Sequence, residues 1–105
     1  MRKINHFGIP TIEKKPGENY AEGMKVHLTD YNESANKIEF LRFEDGSWMP
    51  EIIQKVPHIA YEVSDLNAEL KDAEVIVEPV RAADDLTIAF IVEEGIPLEL
   101  MYFDK

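Results

Sequence analysis

The 105-residue chain contains no cysteine. Disulfides, thiolate metal ligands and cysteine nucleophiles are therefore excluded. No run of apolar residues is long enough to span a membrane, and the first ten residues, "MRKINHFGIP", lack the apolar core of a signal peptide. These absences lead us to expect a cytoplasmic protein with no membrane partner.

Basic residues are scarce: 11 Lys and Arg stand against 21 Asp and Glu, for a formal net charge of −10 at pH 7. Because nucleic-acid phosphates would be repelled, we expect no nucleic-acid partner. Several basic residues lie in the first half of the chain, namely Arg2, Lys3, Lys14, Lys15, Lys25 and Arg42. They are either scattered surface charges or a contact for the anionic tail of a small substrate.

Length and composition indicate one globular domain, since 45% of the residues are hydrophobic. Alternating apolar residues predict strands at 3–9, 24–31, 37–44, 58–63, 86–93 and 97–103, with a shorter strand in "VIVEPV". Residues 11–23 are rich in Gly and Pro and predict a loop. The strongest helix signal is at 65–73, where Leu66, Leu70 and Ala73 share one face.

Two halves of the chain repeat one pattern. "NHFGIP" and "PHIAYEV" each place a histidine near the head of a strand, and "KIEFLRF" aligns closely with "PLELMYF", each with a glutamate between apolar residues. This indicates an internal duplication in which the first copy has lost its helix. The expected organisation is one domain, 1–105, with module one at about 1–46, a connector at 47–56 and module two at about 57–105.

The repeat gives His58 three candidate partners: His6 from the matching strand, and Glu39 and Glu99 from the matching hairpins. Two imidazoles and two carboxylates form a mixed nitrogen and oxygen ligand set. Such a set suits Zn, Ni, Co, Mn or Fe and leaves coordination positions free. Taken singly, each residue also fits a solvated strand position. His27 has no counterpart in the second half, so it is not included in the set.

The quoted segments resemble the vicinal oxygen chelate superfamily, which includes glyoxalases and bleomycin-resistance proteins. "PHIAYEVSDLNAELK" is similar to the opening of the second module in its methylmalonyl-CoA epimerase and glyoxalase I-like branch. "MKVHLTDYNESANKIEFLRF" and "IAFIVEEGIPLELMYF" resemble the hairpins that end the two modules. The resemblance implies an α+β fold in which two βαβββ-type modules form a cupped, mostly antiparallel sheet, here with the first helix shortened or absent.

The same resemblance implies a function. His6, Glu39, His58 and Glu99 would bind a divalent metal ion, and Glu22 or Glu99 would transfer the proton. The protein would then be a lyase, isomerase or epimerase for a small acid or an anionic thioester, and a homodimer. Glu22 lies one position closer to the following strand than the family pattern places its base. The alternative is a non-catalytic binding protein of the same fold, of the resistance or sequestration type.

Overall fold

The computed structural model describes residues 1–104, which form eight strands and two short α-helices. The strands are β1 (Arg2–Pro10), β2 (Asn19–Ala21), β3 (Val26–Leu28), β4 (Ile38–Phe43), β5 (His58–Val63), β6 (Glu74–Ala83), β7 (Leu86–Glu93) and β8 (Ile96–Phe103). The α-helices are α1 (Glu51–Lys55) and α2 (Leu66–Leu70), and 3-10 turns occupy Glu22–Met24 and Tyr31–Glu33.

All eight strands belong to one curled sheet in the order β2-β3-β4-β1-β5-β8-β7-β6. The second half of this order mirrors the first, so the two modules meet where β1 pairs antiparallel with β5. The pairs β1–β4 and β5–β8 are parallel, and the other pairs are antiparallel. The expected α+β fold with a cupped, mostly antiparallel sheet is confirmed.

Strand alternation determines which side chains face the inside of the cup. In β8, Leu98 and Leu100 face the convex side and pack near α2, whereas Glu99 and Met101 face the concave side. The helix buries the convex face of the second module, and Asp65 caps it by accepting a hydrogen bond from the Ala68 amide. Both faces of β8 are therefore buried, which places a glutamate inside the protein.

The first module has no α-helix between β1 and β4, as expected from the sequence. The loop after β1 takes its place on the convex face of β4: the Lys15 ammonium lies over the Phe40 ring, and Glu18 forms a bidentate ion pair with Arg42. The Arg42 guanidinium lowers the pKa of Glu18 to about 2, so the pair stays charged. The loop, not a helix, covers this part of the sheet.

Two expectations about local structure, the loop at 11–23 and the full length of the strand at 24–31, were wrong. The expected loop at 11–23 contains β2, a strand of three residues that is too short to show an alternating pattern. The connector at 47–56 contains α1, whose Ile53 packs with Met49 in the core. The expected strand at 24–31 is shorter, since a left-handed turn at Lys25 precedes β3.

No helix within residues 1–104 is long and apolar enough to cross a membrane. The division of the chain into modules at about 1–46 and 57–105 stays a prediction, although the order of strands agrees with it. Lys105, the last residue of the expected second module, lies outside the described residues.

Candidate metal centre

The four central strands bring the two histidines and two glutamates singled out in the sequence to one place. His6 lies on β1, His58 on β5, Glu39 on β4 and Glu99 on β8, and these strands are neighbours in the sheet. Across the β1–β5 pairing, His6 is opposite Ala60 and His58 is opposite Gly8. The next strands add the carboxylates, with Glu39 beside Gly8 and Glu99 beside Ala60.

The donor atoms of these side chains converge at the base of the cup. His6 Nε2 lies 3.4 Å from Glu39 Oε1 and 3.5 Å from Glu99 Oε1, and His58 Nε2 lies 3.1 Å from Glu99 Oε1. Ligand atoms held about 2.1 Å from one divalent ion lie roughly 3.0–3.4 Å apart when they are adjacent in the coordination shell. These three spacings are therefore close to those of adjacent ligands.

Buried polar atoms without hydrogen-bond partners mark the same place. His6 and His58 are each only 2% exposed, and His6 Nε2 and His58 Nδ1 have no hydrogen-bond partner. A buried polar atom left unpaired costs about 1–3 kcal/mol. His6, Glu39 and His58 each offer a ligand atom within 4.8 Å of the others. The donor set and its unpaired nitrogen atoms fit a divalent cation.

A β-bulge orients His6. The register between β1 and β5 shifts between Ile4 and His6, so Asn5 is an extra residue in β1. A bulge redirects the side chains next to it, and here it lets Asn5 Oδ1 contact His6 Nδ1 at 2.7 Å while Asn5 Nδ2 donates to Glu62. Because the amide oxygen can only accept, His6 Nδ1 carries the proton and Nε2 faces the carboxylates.

Tyr31 packs on the face of the His6 ring. The two rings are stacked, with centroids 4.1 Å apart and planes 9° from parallel. Burial, followed by the charges of Glu39 and Glu99, raises the pKa of Tyr31, so its phenol stays protonated. Asn5 and Tyr31 together hold His6 in one rotamer, which is what a pre-organised ligand requires.

His58 depends on Gly8 for space. A Cβ at position 8 would lie 2.1 Å from His58 Cε1 and 2.5 Å from each ring nitrogen, so only glycine leaves room for the imidazole. Phe90 contacts the ring at its edge, with centroids 5.3 Å apart. The absent side chain of Gly8 is therefore part of the site's geometry.

Electrostatics keep the carboxylate side of the site charged. Burial opposes ionisation of Glu99, but the imidazoles of His58 and His6 outweigh it and hold the pKa of Glu99 well below its usual range. For His6, burial alone would lower the pKa, and the carboxylates of Glu39 and Glu99 outweigh it and raise the pKa to about 9. The site thus holds the ionised carboxylate of Glu99 in a buried setting, which favours a cation.

Above these donors lies a cavity of about 220 Å³ whose walls are apolar. Leu28, Leu41 and Phe43 line it from the first module, and Leu86, Ile88 and Phe90 line it from the second. The two modules thus contribute opposite walls of one cup, with the histidines and glutamates at its base.

Comparison with known proteins identifies the fold. No protein-family model matches the chain, and no curated protein matches it by sequence. A hypothetical protein from Bacillus halodurans superposes with a TM-score of 0.73 at 21% identity, over 99% of this chain and 96% of its own. A methylmalonyl-CoA epimerase from Mycobacterium tuberculosis superposes with a TM-score of 0.58 at 19% identity, over 95% of this chain and 87% of its own. The three proteins share one fold.

Glu22, expected as a proton-transferring residue, is not among the side chains that line the cavity. It is exposed in the first 3-10 turn, and its neighbours Ala21 and Met24 line the wall instead. Asn5, Gly8 and Tyr31 were not predicted from the sequence. The motif "NHFG" contains Asn5 and Gly8. Neither the β-bulge at Asn5 nor the packing of the His58 ring on Gly8 produces a periodic pattern in the sequence.

Substitution at Gly8 tests the geometry of the site without a metal ion. Gly8→Ala should lower the free energy of unfolding by about 1–3 kcal/mol, because the added methyl group overlaps the His58 ring inside a packed site. Urea denaturation measures the change. Gly23→Ala is the matched control, since a Cβ there meets nothing within 4 Å, and it should change stability by less than about 0.5 kcal/mol. Equal effects of the two substitutions would contradict the packing of His58 on Gly8.

Proposed function

We propose that the protein is a divalent-metal-dependent enzyme of the vicinal oxygen chelate type, with a glyoxalase- or epimerase-like activity. Its reaction is proton transfer at the carbon next to a carbonyl group of a small acid or thioester, with an epimerisation, isomerisation or lyase outcome. The observation that supports this most is the buried convergence of two imidazoles and two carboxylates at the base of a cavity.

His6, Glu39, His58 and Glu99 would hold the ion, which is Zn, Ni, Co, Mn or Fe in this proposal. Two nitrogen and two oxygen ligands suit these ions and leave positions open for substrate oxygen atoms. When bound, such an ion supplies a Lewis acid that stabilises negative charge on a substrate oxygen by several kcal/mol. Asn5 and Gly8 then act as positioning residues, since they orient the two imidazoles.

The chain's own acid–base group is Glu99 in this proposal. Its carboxylate lines the cavity and is ionised, because His58 and His6 hold its pKa low. A carboxylate in that state can accept the proton from the substrate carbon and return it to the face of the substrate that lies against it. Glu22 stays a prediction as a second base. The apolar walls keep water away from the reacting carbon, which prevents loss of the proton to solvent.

The metal content of the purified protein tests the proposal. Untagged protein prepared without chelators should contain close to one transition-metal ion per chain by elemental mass spectrometry. The His6→Ala/His58→Ala variant should contain at least about tenfold less, since two of four ligands are gone. The third histidine provides the control: His27 contacts Glu44 at 3.0 Å outside the cavity, so His27→Ala should keep its metal. The proposal would be contradicted if only His27→Ala lost its metal. It would also be contradicted if the native protein contained no bound metal after soaking with each ion.

A second candidate function is non-catalytic binding of a small molecule, as in sequestering proteins of this fold. The observation that favours it is the largely apolar wall of the cavity, which can hold a ligand by burial alone. In that case His6 and His58 line the pocket without a catalytic role. The homodimer and the cytoplasmic location stay predictions under either function.

Proton exchange separates the two functions. In D₂O, the native protein should exchange the protons next to the carbonyl of 2-oxobutyrate or of a propionyl thioester, as followed by ¹H NMR. Glu99→Gln should slow the exchange by about 100-fold, because the amide keeps an oxygen donor but cannot accept the proton. Glu22→Gln tests the second base: a rate within about threefold of the native rate would exclude that role for the exposed Glu22. Native protein that binds these compounds without exchanging their protons, while His58→Ala binds them equally well, would favour the sequestering protein.

A further inference from the structure

We propose that the substrate carries an uncharged, apolar group, aromatic or branched, which lies against the cavity wall while the oxygen-bearing end meets the two histidines and two glutamates. This inference rests on the proposed function and names the substrate class. It differs from the expectation of an anionic tail, since it gives the substrate no second negative charge inside the cavity.

The chemistry of the wall is the first support for this proposal. Apart from His6, His58, Glu39 and Glu99, the only polar side chain among the described residues that line the cavity is Tyr31. None of these lining residues is a lysine or an arginine. A carboxylate or phosphate that entered the cavity would lose its hydration without meeting a cation, at a cost of several kcal/mol.

Charge supports the proposal independently. Glu39 and Glu99 already place two carboxylates in the cavity, and the chain carries a formal net charge of −10. Arg81 lies in a neighbouring depression beside Ala82. Its Nη2 donates a hydrogen bond to Asp104 Oδ2 at 2.8 Å, so the charge of the guanidinium is already paired. A second anionic group on the substrate would therefore be repelled at the base of the cup and unpaired at the wall.

The volume of the cavity also fits an apolar group. A dry cavity of about 150 Å³ lined by aliphatic and aromatic side chains is sufficient to bind benzene. The cavity measures about 220 Å³ and is lined in the same manner by Leu28, Phe43, Ile88 and Phe90. It therefore has room for a phenyl or branched alkyl group together with a short chelating end.

Methionines make the cavity wall adaptable, and their methyl groups can report on ligand binding by NMR. Met24, Met49 and Met101 line the cavity from three different segments of the chain, and methionine packs around irregular apolar ligands. The fourth methionine, Met1, is 99% exposed and is not among the wall residues. Protein labelled with ¹³C at the methionine methyl groups thus reports on the cavity through three signals and carries one internal control.

The test compares three 2-oxo acids that share one chelating end: pyruvate, phenylpyruvate and 2-oxoglutarate. With Zn²⁺-loaded protein, phenylpyruvate should bind at least about tenfold more tightly than either of the others, because only its side chain buries apolar area against the wall. Its ring should shift the methyl signals of Met24, Met49 and Met101 and leave Met1 unchanged. Binding of 2-oxoglutarate as tightly as phenylpyruvate, or unmoved cavity methionines at saturation, would overturn the inference.

Toluene separates this inference from the proposed function, since it has no chelating end. Added to metal-free protein, it should shift the same three methionine signals whether or not Zn²⁺ binds. Failure of Zn²⁺ to bind would refute the metal-dependent enzyme, yet the toluene shifts would still support an apolar occupant. No toluene shift in the three signals would overturn the inference even if Zn²⁺ binds.

A substitution in the wall provides a second, independent test. Leu86 is half-buried at the cavity, so Leu86→Lys introduces the missing cation with little disturbance of the core. It should strengthen 2-oxoglutarate binding by about tenfold and weaken phenylpyruvate binding by a similar factor, consistent with a new charge-assisted contact. Ile12→Lys adds the same charge at an exposed residue outside the cavity and should change neither affinity. An unchanged preference in Leu86→Lys would contradict the account of the wall.

Discussion

The antiparallel pairing of β1 with β5 is the contact on which the rest of the structure depends. It joins the two modules and sets His6 opposite Ala60 and His58 opposite Gly8. Two small residues thus lie across from the two imidazoles and leave room for both rings. A shift of one residue in this register would place His6 and His58 on opposite faces of the sheet, and each would keep only the glutamate of its own module. The bulge at Asn5 is the local adjustment that completes the alignment on the β1 side.

Collecting four polar side chains in the middle of a sheet has an energetic cost. Two imidazoles and two carboxylates are largely removed from water, and two ring nitrogen atoms have no hydrogen-bond partner. Well-packed apolar residues at the same positions would often be as stable or more stable. The second module offsets part of this cost through a convex face that is covered by α2 and the apolar residues around it. A bound ligand ion at 100 times its dissociation constant would add about 2.7 kcal/mol to the stability of the fold.

Much of the fold follows from the sequence because both modules alternate clearly. The strand "HIAYEV" has the expected bounds, and "LTIAFIVE" with "PLELMYF" forms the expected hairpin. Duplication of the pattern also makes His6 equivalent to His58, and Glu39 equivalent to Glu99, from the sequence alone. This works because a repeated module repeats its inward-facing positions, and strand alternation assigns the face of each glutamate.

The residues that refine the site could not be predicted in this way. Asn5 acts through a β-bulge, which breaks the alternation on which strand prediction rests. Gly8 acts through the absence of a side chain, and Tyr31 reaches His6 from a 3-10 turn distant in sequence from β1. The position of Glu22 outside the cavity depends on a 3-10 turn of three residues, which is too short to produce a periodic sequence pattern. Such features arise from tertiary contacts and not from local pattern.

The central claim is that one divalent ion binds between the two modules, held by a histidine and a glutamate from each. Anomalous diffraction from crystals grown with Zn²⁺, recorded on both sides of the zinc absorption edge, tests it most directly. We expect a single strong peak about 2.0–2.2 Å from donor atoms of His6, Glu39, His58 and Glu99. A peak beside His27 and Glu44 instead, or no peak between β1 and β5, would contradict it.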